Sequence, residues 1–286
     1  MAYPHVPIWL ELTHLARDFG LSLIDSACPH PEFRGLDGVC LFIGPPRTGH
    51  SLVASLLDAH PEIAIAHELG MLKYVLTHFS RRQIWTMMLA NTKRQAARGR
   101  PHIHYSHAVE GQWQGRFQNL RIIGDKHGEG LLLSVAARPR LLDRARERMG
   151  PIRFIHVQRN PFDAITSTAS VGKRNMSLER SIGYFSQLYA TLNGIIGGLQ
   201  ASELCECRFE DLLADPKNEL TKLCQFLGVE APQDYLAACS AIVLDSPEDH
   251  RGMCDWEQSS RDKVDAFIDK YSFLSSYSFE DQHRQL

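Results

Sequence analysis

The stretch LFIGPPRTGHSLVASLLDAHP, Leu41 to Pro61, decides the fold. Leu41, Phe42 and Ile43 form a short apolar run suited to a strand buried on both faces, and the run breaks at Gly44-Pro45-Pro46-Arg47-Thr48-Gly49. Beyond it Leu52, Val53, Leu56 and Leu57 recur at helical spacing until His60-Pro61 stops the helix. A strand, a glycine loop and a helix start together make an anion cradle. The backbone N–H groups of Thr48, Gly49, His50 and Ser51 are expected to point at one spot, where the helix dipole adds partial positive charge. The expected ligand is a phosphate or a sulfate, and the expected fold is α/β: a three-layer sandwich whose mainly parallel central sheet is flanked by helices.

The spelling of the loop narrows the chemistry. Gly44 to Ser51 has the glycine spacing of a Walker A box, but His50 stands where the phosphate-gripping lysine belongs, which counts against an ATPase or GTPase. The fixed cation is Arg47, whose planar fork suits a phosphate. Pro46-Arg47-Thr48-Gly49-His50-Ser51-Leu52 resembles the 5'-phosphosulfate loop, P-R-[ST]-G-[TS]-[TS]-L, of the sulfotransferases that use 3'-phosphoadenosine 5'-phosphosulfate (PAPS), and departs from it at His50. The resemblance implies a P-loop NTPase-like architecture in which Arg47, Thr48, Gly49, His50 and Ser51 hold the phosphosulfate. A glycine turn that binds nothing is the alternative reading of the loop alone.

A second corner supports the first. In IRFIHVQRNPFD, Ile152 to Asp163, strand-forming residues lead into Asn160 as helix cap, Pro161 at the first helical position and Asp163 in the first turn. Where an NTPase commonly ends such a strand in an acid for magnesium, this one ends in Arg159. Arg159, Asn160-Pro161, Asp163 and Ser167 match the family pattern R-[ND]-P-x-D-x-x-x-S, which implies that Arg159 and Ser167 hold the 3'-phosphate of PAPS.

The reacting groups are expected at two further strand ends. Ile63-Ala64-Ile65-Ala66 reads as a strand and delivers His67-Glu68-Leu69-Gly70 to the carboxyl edge of the sheet, where ligands bind in α/β folds. Asp58-Ala59-His60-Pro61 followed by Glu68 resembles the members that sulfate protein tyrosines, where the glutamate is the catalytic base; Gly70 replaces an arginine found there, so a tyrosine acceptor is not implied. A carboxylate at a helix start is the other reading of Glu68, and His67 and His127 compete as bases. In LRIIGDK, Leu120 to Lys126, the strand is expected to break at Gly124. The resemblance gives Lys126, with Arg47, the task of stabilising charge on the leaving phosphate; an exposed Asp125-Lys126 turn is the alternative. Near the end, His250-Arg251-Gly252 and Asp255-Trp256 loosely resemble the segment that covers PAPS, which places Arg251 near the 3'-phosphate unless it is a plain basic loop.

Composition fits a single domain over residues 1–286, with the resemblance covering a core of residues 38–277. A formal net charge of −2 argues against a nucleic-acid binder. Pro4 and Pro7 precede a short amphipathic helix, Ile8 to Phe19, rather than a signal peptide, and no apolar run is long enough to span a bilayer, so a cytoplasmic location is expected. The seven cysteines are scattered without zinc spacing, and Cys205 and Cys207 share one strand face, which suits reduced, buried thiols. Residues 73–121 form a basic helical insertion: Arg81, Arg82, Lys93, Arg94, Arg98, Arg100, Arg116 and Arg121, with His102, His104 and His107, stand against one acid, Glu110. That segment reads either as a solvated helix pair or as a lid that prefers an anionic acceptor. Leu131 to Met149 is expected to kink or split at Pro139, Phe209 to Pro216 resembles the family's [YF]-E-D-L-x-x-[DN]-P scaffold element, and Ser259 to Tyr271 forms the last helix. The function expected from the resemblance is sulfuryl transfer from PAPS to a hydroxyl of a small molecule or peptide, without a metal. A kinase-like phosphotransferase and a non-catalytic nucleotide binder of the same fold are the rivals.

Overall fold

Alternation along the first strand sets the layers. In the computed structural model, which describes residues 17–20, 22–23, 30–99, 106–170, 176–243 and 251–281, β1 spans Gly38–Ile43 and is buried on both faces. Val39, Leu41 and Ile43 join one apolar cluster while Cys40 and Phe42 join another, so two cores lie on opposite sides of one sheet. The further elements are α1 (His50–Leu57), β2 (Ile63–His67), α2 (Leu72–Val75), α3 (Arg81–Ala97), β3 (Ile122–Lys126), α4 (Gly128–Ala137), α5 (Leu141–Met149), β4 (Ile152–Gln158), α6 (Pro161–Ser170), α7 (Leu178–Ile196), β5 (Leu204–Arg208), α8 (Phe209–Ala214), α9 (Pro216–Leu227), α10 (Gln233–Ser240) and α11 (Gln258–Lys270).

The five strands are parallel in the order β2-β3-β1-β4-β5. The chain leaves β1 for the β2 edge, returns to β3, and then crosses to β4 on the other flank. Such a reversal opens a crevice at the carboxyl ends of β1 and its neighbours. The strand ends at Ile43, His67, Lys126 and Gln158 therefore face one edge, where the loops carrying Arg47, Glu68 and Arg159 begin.

Two sequence expectations change here, at Gly124 and in the basic segment, and the choice left open at Pro139 is decided. Gly124 lies inside β3 instead of ending it: a Cβ there would come 2.7 Å from the Cys40 carbonyl oxygen and 2.5 Å from Ile65 Cδ1, so only glycine lets β3 fit between β1 and β2. The pattern from Leu131 to Met149 resolves into two helices separated at Arg138-Pro139-Arg140. In the basic segment the described chain forms one long helix, α3, rather than a helix pair. Ser80 and Gln83 cap α3 reciprocally, and the helix packs on β2. Asn91 of α3 then mimics a neighbouring strand: its Oδ1 accepts the His67 N–H at 2.7 Å and its Nδ2 donates to the His67 carbonyl at 3.4 Å. Arg81 donates to the Arg148 carbonyl, Arg116 to that of Gln112, and Arg121 pairs with Asp37 at the amino end of the sheet. These three cations do not converge on the carboxyl edge, and α3 walls the sheet beside β2. Arg100, His102, His104 and His250, and the helix expected at Ile8 to Phe19 as far as Ala16, lie outside the described residues.

Candidate active site

The glycine loop runs from Gly44 to Gly49, and Gly49 takes φ 96° to start α1 at His50. A side chain is excluded at Gly49 on two counts, because its left-handed backbone is strained for other residues and because a Cβ would sit 2.2 Å from the Phe209 ring. The first turn of α1 thus presents its free N–H groups toward the sheet edge. Thr48 is buried, and its hydroxyl proton is shared between the Pro45 carbonyl and His50 Nδ1, each 3.1 Å away, bracing the loop from within.

The His50 ring turns the other way, into the protein. It is 7% exposed, with Nε2 3.1 Å from the Ile43 carbonyl and Nδ1 3.1 Å from the Thr48 hydroxyl. The carbonyl requires a proton on Nε2. Burial pushes the imidazole down to about 3, so the ring is neutral and does not replace the Walker lysine as a cation. What His50 offers a ligand is its backbone N–H. Its ring packs against Gly44 and Gly128; a Cβ on Gly128 would fall 2.8 Å from His50 Cε1. Gly128 therefore leaves vacant the space that the His50 ring fills.

The two arginine corners meet because β1 and β4 are neighbours. Arg159 Nη1 donates to the Arg47 carbonyl at 3.3 Å, and Arg47 Nε donates to Ser167 Oγ at 2.8 Å. Phe209 lies between Gly49 and the Arg159 guanidinium, whose carbon is 5.4 Å from the ring centroid. Asn160 Oδ1 caps α6 through the Phe162 N–H at 3.0 Å, as the sequence predicts.

On the other flank of β1, Lys126 ends β3 and Glu68 follows β2. Lys126 Nζ donates to Glu68 Oε1 at 2.8 Å and to Ser51 Oγ at 3.1 Å. The lysine side chain is 4% exposed and the glutamate 62%, so a buried cation sits beneath an accessible carboxylate. Burial lowers the Lys126 ammonium, and Glu68 opposes that shift. Burial also raises the Glu68 carboxyl, but the Lys126 charge and hydrogen bond outweigh it and leave Glu68 below its ordinary value. Among the described residues, Arg47 (φ 67°) and Glu68 (φ 54°) are the non-glycine positions with left-handed backbone. Strain of this kind persists where the surroundings enforce it. Asp125, which the sequence left without a role, enforces it at Glu68 by accepting the Leu69 N–H at 3.1 Å and the Met71 N–H at 2.8 Å. The buried Asp58 braces the same region, accepting from Ile65 N, Thr92 Oγ1 and Gly115 N.

The model of the sulfotransferase family matches residues 41–233, more than half of the 286 residues. The chain belongs to the sulfotransferase family. Membership carries sulfuryl transfer as its general activity. Solved structures of similar fold include a sulfotransferase domain from the curacin biosynthetic pathway (16% identity, TM-score 0.55, covering 85% of this chain and 99% of that one). Sulfotransferase STF9 from Mycobacterium avium is another (10% identity, TM-score 0.50, 92% of this chain and 81% of that one). At these identities the likeness concerns the fold. No curated protein matches the chain.

One expected site residue of this sulfotransferase points elsewhere. Arg251 donates through Nε to Asp163 Oδ1 at 2.9 Å, through Nη1 to the Phe279 carbonyl and through Nη2 to the Asp281 carbonyl at 3.0 Å. Its fork is engaged by protein, which removes the basis for placing it on a 3'-phosphate. His67 and His127 flank Glu68 closely enough to help lower its carboxyl. No helix among the described residues is long and apolar enough to cross a membrane.

Proposed function

We propose that this sulfotransferase uses PAPS as donor and a hydroxyl of a small molecule or peptide as acceptor, with Glu68 as general base. The observation that carries the reading is the order of groups along the carboxyl edge. Glu68 after β2, Lys126 on β3, the loop of Arg47 to Ser51 after β1, and Arg159 after β4 stand in strand order. That order puts a base, a leaving-group cation, a phosphosulfate cradle and a second phosphate site side by side. The fit rests on the cradle itself: Gly49 keeps it open where a Cβ would meet Phe209, and Arg47, Lys126 and Arg159 concentrate positive charge around it.

In this reading Glu68 takes the acceptor proton as the new oxygen–sulfur bond forms, and its depressed pKa keeps it ionised for that task. Lys126 Nζ, next to Ser51, meets the charge that grows on the leaving phosphate oxygen. The N–H groups of His50 and Ser51 and the Arg47 guanidinium hold the 5' end, while Arg159 and Ser167 hold the 3'-phosphate. The Arg47–Ser167 hydrogen bond joins the two subsites. Buried cysteines without disulfides among the described residues suit a reducing compartment such as the cytoplasm.

The test is turnover with PAPS across a panel of hydroxyl acceptors, reading sulfated product and 3'-phosphoadenosine 5'-phosphate (PAP). Preference for ATP with magnesium would overturn the reading. Arg159→Ala is expected to weaken PAP by at least about tenfold while changing 5'-AMP little, consistent with loss of a charge-assisted phosphate contact. Equal weakening of both nucleotides would remove Arg159 from the 3'-phosphate.

A further inference from the structure

The corner that carries Arg159 is held from behind by the C-terminal segment. Every polar group of Asn160 that could let the corner rotate is tied: its backbone N–H donates to Glu210 Oε1 at 2.9 Å, its Oδ1 caps α6, and its Nδ2 donates to the Ser278 carbonyl at 2.8 Å. Glu210 is in turn fixed by the Tyr277 hydroxyl, which donates to Oε2 at 3.0 Å. Both outside partners of Asn160 therefore lead to adjacent residues of the tail, one directly and one through Glu210. The Tyr277 ring also packs under the Arg208 guanidinium at 4.7 Å, next to Phe209, which stacks on Arg159.

The tail has its own clamp. Ser278 and Asp281 form a reciprocal turn, with Ser278 N donating to Asp281 Oδ2 at 2.6 Å and Asp281 N to Ser278 Oγ at 3.2 Å. Arg251 grips the carbonyls of Phe279 and Asp281 and joins them to Asp163 in the first turn of α6. A closed circuit results, running from Asn160 to Ser278, through Arg251 to Asp163, and back along α6. Arg251 and Tyr277 are both buried, so the circuit is part of the protein interior and not a surface decoration.

We infer that Tyr277, Ser278 and Arg251 are positioning residues for the 3'-phosphate subsite, fixing the direction of Arg159 without touching the nucleotide. The inference rests on the assignment of Arg159 and Ser167 to the 3'-phosphate made above. A fixed guanidinium loses less conformational freedom on binding than a mobile one, so loosening the corner weakens the contact selectively.

Tyr277→Phe removes one oxygen and keeps the ring. Titration calorimetry of full-length wild type and variant with PAP and with 5'-AMP separates the possibilities. Wild type is expected to prefer PAP; a wild type that binds both alike would overturn the 3'-phosphate reading itself. With that preference in hand, Tyr277→Phe is expected to lose roughly tenfold for PAP, about the worth of one hydrogen bond to a charged group, and less than about twofold for 5'-AMP. Full retention of the preference, or equal loss for both nucleotides, would overturn the positioning role. Arg251→Lys, which keeps the charge but cannot reach both tail carbonyls, provides a second variant should Tyr277→Phe fold poorly. It is expected to show the same selective loss, and an unchanged preference would count against the clamp.

Discussion

Replacing Glu68 by Gln tests the chemistry with the least disturbance of the structure. The amide keeps an oxygen where Oε1 now accepts from Lys126 at 2.8 Å, and it tolerates the φ of 54° about as well as the acid does. The turn that follows stays pinned by Asp125 through Leu69 and Met71, so the fold and the loop of residues 44–49 should not change. What is lost is the ability to accept a proton. Positioned general bases contribute roughly 10²- to 10⁴-fold, and turnover at saturating donor should fall within that range. Because the change removes a negative charge beside an anion site, PAP affinity should stay within about threefold of wild type and shift, if at all, toward tighter binding. The pH profile adds a second reading. Glu68 is held below its ordinary value, so its stabilising contribution is complete at neutral pH and is lost only as pH falls through the depressed folded value. The acid limb of wild-type kcat/KM should accordingly lie below the usual carboxylate range and vanish in Glu68→Gln. Steady-state kinetics with PAP calorimetry decide the matter: turnover within a factor of a few of wild type refutes the base assignment and returns the role to His67 or His127.

Two glycines give predictions of opposite kind. Gly49→Ala forces a Cβ to within 2.2 Å of the Phe209 ring at a left-handed backbone, so the ring must leave Arg159 or the loop must move; nucleotide affinity should drop at least about tenfold, and unchanged PAP binding would contradict the cradle geometry. Gly124→Ala instead presses on the Cys40 carbonyl inside the sheet, and urea unfolding should show a loss of about 1–3 kcal/mol or more from overpacking. A variant as stable as wild type would mean that β3 spacing is looser than described.

Much of the site could be read along the chain because it is built from local units. The runs Leu41–Ile43 and Ile152–Val157, each followed by its loop and helix start, announce both cationic corners, and the unbroken apolar run of β1 announces a strand buried on both faces. The scaffold role expected of residues 209–216 agrees with Glu210 holding the Asn160 N–H. Gly124 reads as a strand end for a local reason: glycine breaks most strands, and only the approach of Cys40 and Ile65 from neighbouring strands makes it the residue that lets β3 continue. The basic segment gave a charge pattern with no partners, and those of Arg81 and Arg121, the Arg148 carbonyl and Asp37, lie outside it.

By itself, then, the sequence determined where the strands before the two arginine corners stop, where their helices start, and which cations stand there, since backbone preference and capping act over a few residues. Tertiary structure decided what the long side chains touch. Lys126 meets Glu68 across 58 positions, Arg47 meets Ser167 across 120, and Arg251 meets Asp163 across 88. Whether His50 is a cation or a neutral filler depends likewise on the gap left by Gly128. Such contacts follow from which strands lie side by side, and neighbours in a parallel sheet are set by crossovers that no short stretch of chain records.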